Sequence, residues 1–222
     1  MKRKAVIFDL FETLITEYSN GSRTSKRSYN YMELLGLSNE DFKQEWGSRQ
    51  SRRMSGELAD YPSVIKDIML SRNLPFNKEA VMHLYKERKK EKTIPFENIR
   101  LDILELLSTL HEKNIKIGLI SNCTEEEVQY WKKSIISHFF DDVIFSYEVG
   151  MAKPDKQIYL LSCKHLSSAP ENTIFVGDGG SGELEGADKA GLRVYHATWF
   201  NTYIQSDFTK LKSPSDLLNK LE

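Results

Sequence analysis

The chain predicts an α/β fold, a doubly wound parallel sheet interrupted by one long helical insertion. Three observations point there. Short apolar runs suited to strands covered on both faces recur along the chain, beginning with Ala5-Val6-Ile7-Phe8. From residue 99 onward these runs alternate with segments of helical period, the pattern of successive βα units. Between the first run and that alternation lies a polar stretch, 16–94, with helical period and no strand signal.

The elements follow in order. After the strand at 5–8, Tyr31, Leu34 and Leu35 recur at helical spacing, as do Val64, Ile65, Ile68 and Met69. Breaks fall at Leu37-Ser38-Asn39, Asp60-Tyr61-Pro62 and Leu74-Pro75-Phe76-Asn77, where Ser, Asn and Pro cap or stop helices. The insertion therefore predicts about four short helices. The pattern changes at Ile94-Pro95. Residues 99–113 read as an amphipathic helix, 115–120 as a buried strand and 125–132 as a helix. A short strand at 143–145, a helix at 157–165, a strand at 173–176, a helix at 184–190 and a strand at 192–195 come next. Ser213-Pro214 opens a C-terminal helix, with Ser as cap and Pro at the first position.

Composition narrows the function classes. At 222 residues and 40% hydrophobic content the chain can bury one substantial core and a smaller lobe. A formal net charge of -1 gives no global attraction to nucleic acid or membrane. Met1-Lys2-Arg3-Lys4 is basic, but the apolar run after it is too short for a signal peptide, and no stretch approaches a membrane span. Two cysteines, Cys123 and Cys163, make no disulfide framework. The expectation is a cytoplasmic monomer or simple homo-oligomer with neither nucleic acid nor membrane as partner. Residues 16–94 hold 15 Lys/Arg against 11 Asp/Glu, net +4, and the remainder holds 16 against 21, net -5. A basic insertion over an acidic core suits a small anionic substrate, although a solvated helix face explains the same charges.

In a parallel sheet the carboxyl ends of the strands converge on one crevice. Here those ends carry Asp9, then Ser121-Asn122, then Lys153-Pro154-Asp155, then Gly177-Asp178 with Glu183. Each has a bland reading alone: Asp9 caps a turn, Ser121-Asn122 caps a helix, Lys153 is a solvated lysine. Together they supply a carboxylate nucleophile, a hydroxyl donor, a cation and a carboxylate pair suited to Mg²⁺. Such a set holds an anionic phosphoryl group, whose transfer depends on positioning and charge neutralisation.

The order and spacing of these segments resemble the haloacid dehalogenase superfamily over nearly the whole chain. Asp9 to Leu14 resembles its first motif and Leu119-Ile120-Ser121-Asn122 its second. Glu148 to Asp155 resembles the third, and Val176 to Glu183 followed by Gly186-Ala187 and Ala190-Gly191 the fourth. The resemblance implies a Rossmann-like core from residues 1–15 and 95–222, with 16–94 as an inserted α-helical cap domain. It implies Asp9 as nucleophile forming a covalent aspartyl intermediate. Ser121 and Asn122 would bind substrate, and Lys153 would offset negative charge around Asp9. Mg²⁺ would be held by Asp9, the backbone carbonyl of Phe11, Asp178 and Glu183, the last standing where the family more often has Asp. The implied activity is Mg²⁺-dependent hydrolysis of a small phosphorylated metabolite.

One departure bears on mechanism. Most phosphatases of the superfamily carry a second Asp two residues after the nucleophile, which protonates the leaving group and then activates water. Here that residue is Phe11, which transfers no proton. The true dehalogenases have an aromatic residue there, but they use no metal and lack the acidic pair that Asp178 and Glu183 provide. The alternatives are a 2-haloacid dehalogenase and a non-catalytic relative that binds ligand. Gly177-Asp178-Gly179-Gly180-Ser181-Gly182 also fits G-x-G-x-x-G, but it comes late in the chain, with no acid near Tyr195-His196-Ala197. Glu12 neighbours Phe11, yet adjacent side chains on an extended segment point apart. The five histidines lack metal-ligand spacing and predict surface or partly buried positions, and Trp46, Trp131 and Trp199 predict packing.

Overall fold

Alternation along the first strand decides the layering. In β1 (Ala5–Phe8), Val6 and Phe8 face one apolar layer while Ala5 and Ile7 face the other. A strand whose four residues are all apolar therefore needs cover on both sides. The computed structural model describes residues 5–19, 21–25, 29–58 and 60–221. The basic start Met1-Lys2-Arg3-Lys4 lies outside them.

After β1 the chain makes a two-stranded antiparallel hairpin, β2 (Tyr18–Ser19) with β3 (Ser22–Arg23). Five helices follow: α1 (Tyr31–Leu35), α2 (Asn39–Ser48), α3 (Gln50–Met54), α4 (Tyr61–Ser71) and α5 (Lys78–Glu97). Side-chain oxygens of Ser38, Asp60 and Asn77 accept from the backbone N–H groups of Asp41, Ser63 and Ala80, so the three sequence breaks are helix N-caps. These helices bury their own apolar cluster, including Leu35, Phe42, Tyr61, Ile65, Ile68 and Leu84.

The rest of the chain runs α6 (Leu101–Glu112), β4 (Lys116–Ser121), α7 (Glu125–Val128), β5 (Asp142–Phe145), α8 (Ser146–Val149), α9 (Lys156–His165), β6 (Thr173–Gly177), α10 (Glu183–Lys189), β7 (Arg193–Ala197) and β8 (Lys210–Leu211). The strands form one six-stranded sheet in the order β5-β4-β1-β6-β7-β8, every pair parallel. On one face α6 and the 3₁₀ segment Pro214–Lys220 bring Ile103, Leu107, Leu110 and Leu217 onto Val6, Leu119 and Val176. On the other, α9 and α10 bring Ile158, Tyr159, Leu184 and Ala187 onto Ile7 and Phe175. Each fully buried aliphatic or aromatic side chain contributes about 1.5–3 kcal/mol. No helix among the described residues is long and apolar enough to cross a membrane.

Local differences from the sequence expectations have physical causes. The insertion opens with a hairpin, turning through Gly21 at φ +75°, a signal hidden in residues too polar to read as strand. Helix count is five because α2 and α3 are split at Arg49. The last insertion helix continues through Pro95, which has no N–H to donate, because Pro95 and Phe96 are packed in the core. The helix expected at 125–132 stops at Val128 and gives way to a 3₁₀ turn, Trp131–Lys133. The C-terminal helix is 3₁₀, capped as expected by Ser213. His196, expected at the surface or partly buried, is fully buried in β7; Ser206 Oγ lies 2.8 Å from its Nδ1, and burial lowers its pKa.

Candidate active site

The tips of β1, β4 and β6 meet where the parallel sheet opens. Asp9 follows β1, and its backbone N–H donates to the Val176 carbonyl at 2.9 Å, continuing the β1–β6 ladder by one residue. The loop after α8 delivers Lys153. Its backbone is fixed by Asn122, whose Oδ1 accepts from Lys153 N at 2.8 Å and whose Nδ2 donates to the Lys153 carbonyl at 2.8 Å. Asn122, expected among the substrate-binding residues, uses its carboxamide to lock the lysine's backbone to the β4 tip.

Lys153 Nζ donates to Asp9 Oδ1 and to Glu183 Oε2, and both links are buried. Asp178 joins them: Asp9, Asp178 and Glu183 each place a carboxylate oxygen within 4.8 Å of the others. Asp178 and Glu183 are held by the β6–α10 loop. Gly180 N–H donates to Asp178 Oδ1 at 2.9 Å, and Gly179 N–H to Glu183 Oε1 at 3.1 Å. Gly177 has to be glycine, since a Cβ there would overlap the Glu183 carboxylate. Three carboxylates thus share one ammonium, and electrostatics follow. Burial raises the Asp9 pKa, with Asp178 adding to the rise and Lys153 opposing it. Burial and the Asp9 charge push Glu183 up to about 8, again against Lys153. For Lys153 burial disfavours the charge, but Asp9 and Glu183 outweigh it and raise its pKa.

The remaining expected residues are nearby in different states. Ser121 Oγ is buried at the end of β4 and has no hydrogen-bond partner. Phe11 is half-buried and packs against the sheet's apolar layer, with Lys92 Nζ 5.2 Å from its ring centroid. Glu12 adopts φ +59°, and its carboxylate accepts from Thr16 Oγ1 at 2.6 Å and Glu17 N–H at 2.9 Å. Those bonds tie Glu12 to the start of the insertion. The basic segment of the insertion is also largely committed. Arg49 pairs with Glu45 and with Asp67 at 2.6 Å, and Arg52 with Glu57 at 2.7 Å.

Two sets of residues escaped sequence reasoning. Asn201, buried beyond the end of β7, donates from Nδ2 to Asp178 Oδ2 at 2.7 Å. Its signal was a polar side chain after one more strand tip. The second set is an ionic seam between α5 and α7. Arg88 binds Glu126 at 2.6 Å and Glu127 at 2.8 Å, and Lys92 binds Glu127 at 2.9 Å and Glu17 at 2.7 Å. Arg88 also stacks on Trp46, 4.8 Å from the ring centroid, so that ring organises cations as well as packing.

Comparison with known proteins fits this architecture. The sequence profile of haloacid dehalogenase-like hydrolases matches residues 3–191. A glyceraldehyde 3-phosphate phosphatase of Methanopyrus kandleri is 27% identical over 196 residues, covering 85% of this chain and 81% of that protein. A phosphoglycolate phosphatase of Aquifex aeolicus is 26% identical, covering 65% and 69%. Among solved structures, a phosphatase of this superfamily from Thermococcus onnurineus has a TM-score of 0.63 at 20% identity, covering 98% and 97%. A 2-haloacid dehalogenase from Pseudomonas syringae reaches 0.68 at 16% identity, covering 100% and 98%, a likeness of fold alone. The chain belongs to the haloacid dehalogenase-like hydrolases and is an enzyme of that family.

Proposed function

We propose that the enzyme is a Mg²⁺-dependent phosphatase of small phosphorylated metabolites, acting through an aspartyl-phosphate on Asp9. The observation that carries this reading is the Lys153 ammonium bonded at once to Asp9 and Glu183 inside a buried cluster of three carboxylates. Relatives named as phosphatases support it. A divalent cation suits the cluster: the donors are oxygens, neither His nor Cys is among them, and three carboxylates exceed one ammonium. Asp9, Asp178, Glu183 and the Phe11 carbonyl would hold Mg²⁺. When bound it would neutralise charge between Asp9 and the phosphoryl oxygens.

The chain's own residues do the rest. The Asp9 carboxylate attacks phosphorus, and the ester oxygen leaves as an alkoxide that takes a proton from solvent, giving an acyl phosphate and the alcohol. Ser121 Oγ, buried without a protein partner, donates to a phosphoryl oxygen. Lys153, its backbone gripped by Asn122, balances the charge that builds between Asp9 and the phosphoryl group. Water then cleaves the phosphorus–oxygen bond to Asp9, returning the carboxylate and releasing phosphate. The helices of 16–94, with their own apolar cluster, act as a cap over a core of 1–15 and 95–222. Two buried free cysteines fit a reducing, cytoplasmic setting.

Phe11 favours a second reading, carbon–halogen hydrolysis at the same Asp9, because its ring offers no proton to a leaving alkoxide. A series of phosphate esters graded by leaving-group pKa, run beside 2-haloacids with and without chelator, separates the two. Phosphate release should vanish on chelation and depend steeply on leaving-group pKa. Phe11→Asp should flatten that dependence, raising alkyl ester turnover by up to roughly 10²-fold. Haloacid turnover that survives chelation, with esters inert, would overturn the phosphatase.

A further inference from the structure

One cleft is lined by neutral polar side chains that the fold does not use. It holds about 660 Å³, within the span of small-molecule sites, and Lys153, whose ammonium binds Asp9, forms part of its wall. The insertion contributes Gln50 and Ser51 of α3, and the β6–α10 loop contributes Ser181. All three are exposed, and the Gln50 carboxamide and the two serine hydroxyls have no hydrogen-bond partner among the described residues. The insertion is firmly seated here. A Cβ on Gly56, just past α3, would stand 2.2 Å from the Tyr147 carbonyl oxygen of α8. Backbone contact thus fixes α3 beside the segment that leads into the lysine loop.

The charge of the wall is as informative as its polarity. Lys153 and Asp155 are its only charged side chains among the described residues. The lysine is committed to Asp9 and Glu183, and the Asp155 carboxylate caps α9 by accepting from the Gln157 N–H at 2.9 Å. A second anionic group on a substrate would meet a carboxylate and no spare cation. Ser181 adds a sign of constraint. Its φ of +56° lies in the left-handed region that glycine occupies without cost. In a turn whose other residues are Gly179, Gly180 and Gly182, it alone has a side chain to offer.

We propose that this cleft binds the alcohol half of the substrate through neutral hydrogen bonds from Gln50, Ser51 and Ser181. It thereby selects phosphate esters of uncharged polyhydroxy compounds, polyols or sugars, over esters that carry a carboxylate or a second phosphate. A substrate hydroxyl both donates and accepts, and so do a carboxamide and a serine hydroxyl, so the groups pair without a net charge on either side. The inference rests on the phosphatase reading and narrows its substrate class.

The test compares glycerol 3-phosphate with propyl phosphate, which lacks both hydroxyls, and with 3-phosphoglycerate, which carries a carboxylate. The proteins are wild type, Gln50→Met, Ser51→Ala and Gln50→Lys. Wild type should favour glycerol 3-phosphate over 3-phosphoglycerate in kcat/KM by at least about tenfold. Gln50→Met and Ser51→Ala should each cut the ratio of glycerol 3-phosphate to propyl phosphate by roughly 3- to 10-fold, the worth of a neutral hydrogen bond, chiefly through KM. Leaving-group pKa is the same for every variant and cancels. Gln50→Lys supplies the missing cation and should move preference toward 3-phosphoglycerate. A wild type without the expected preference, a glycerol-to-propyl ratio unchanged in either truncation, or a preference unmoved by Gln50→Lys overturns the proposal and leaves Gln50 and Ser51 as solvated surface residues. If no ester is cleaved, the phosphatase reading fails by itself, and calorimetric titration of Asp9→Asn with glycerol 3-phosphate decides the cleft. Affinity at least about threefold weaker in Asp9→Asn/Gln50→Met supports it, and a smaller change refutes it.

Discussion

Two groups of ionisable side chains are buried in this molecule, and they are unbalanced in opposite directions. Around Lys153, three carboxylates share a single ammonium. Along the seam between α5 and α7, Glu126 and Glu127 are met by Arg88 and Lys92, with Arg53 to spare. Two glutamates show the consequence. Burial penalises the charge on both, yet Lys92 and Arg88 hold Glu127 well below the usual carboxylate range. Glu183, competing with Asp9 for one lysine, is pushed up to about 8. The residue type is the same; Glu127 has two cations against it and is 13% exposed, whereas Glu183 is 2% exposed and shares its one cation with Asp9. Buried charge is costly unless matched. The fold thus tolerates a buried surplus of acidic groups in one place and of basic groups in another.

The largest effect expected from breaking this contrast is at the lysine. Lys153→Met should lower kcat by roughly 10²–10³-fold or more, because it removes the charge facing Asp9 and the incoming phosphoryl group. Steady-state rates at saturating substrate and Mg²⁺ measure it, and a variant within tenfold of wild type would show that Lys153 serves structure alone. On the seam the loss should be in stability. Arg88→Met leaves Glu126 buried without its cation and should cost roughly 3–5 kcal/mol in denaturant unfolding. Mg²⁺ affinity, read by calorimetry, should stay close to wild type. A cost below about 1 kcal/mol would mean that water reaches Glu126.

The pH response sharpens the comparison further. Glu183 titrates near 8 in the folded protein against a usual 4.5, so between those values the native state keeps a proton that the unfolded chain has released. Stability of the metal-free protein should therefore fall as pH rises through that window. A bound cation displaces the proton, so the thermal shift produced by Mg²⁺ should grow from pH 5.5 to 8, with affinity rising by up to about tenfold per pH unit. A shift independent of pH would place the ion away from Glu183. The smallest effect belongs to Asn201, which orients Asp178 from outside the cluster. Asn201→Ala should weaken Mg²⁺ by roughly tenfold in a calorimetric titration. Unchanged affinity would leave the Gly180 N–H as the group that fixes Asp178.

Much of this was legible before folding, for a definite reason. Strands buried on both faces appear as unbroken apolar runs, so Ala5–Phe8 and Thr173–Gly177 were readable almost to the residue. Caps carry their own chemistry, so Ser38, Asp60 and Asn77 marked the breaks they make. Asp9, Lys153, Asp178 and Glu183 were visible as polar residues at strand tips, where a parallel sheet gathers them. What stayed hidden depends on partners distant in sequence. Arg88 and Lys92 look like solvated helix charges until Glu126 and Glu127 are brought against them. Nothing in the sequence signals that the Asn122 carboxamide spans the Lys153 backbone. Arg53 is the reverse case, a charge in a basic run whose neighbours find partners while it does not.

The contact between α10 and the lysine loop carries a consequence for how this sequence can drift. Gly186 packs so closely on Pro154 that a methyl group there would stand 2.6 Å from the Pro154 carbonyl oxygen and 2.8 Å from its Cα. Both atoms belong to backbone that also carries Lys153, so a side chain at 186 would lever the ammonium away from the carboxylates. Gly186 touches no reacting group, yet it acts as the spacer that sets their separation. Alanine, the mildest replacement in most helices, should be among the least accepted at this position. A small residue on this side of α10 is thus a record of the distance between the lysine loop and the carboxylates, kept by a residue with no chemistry of its own.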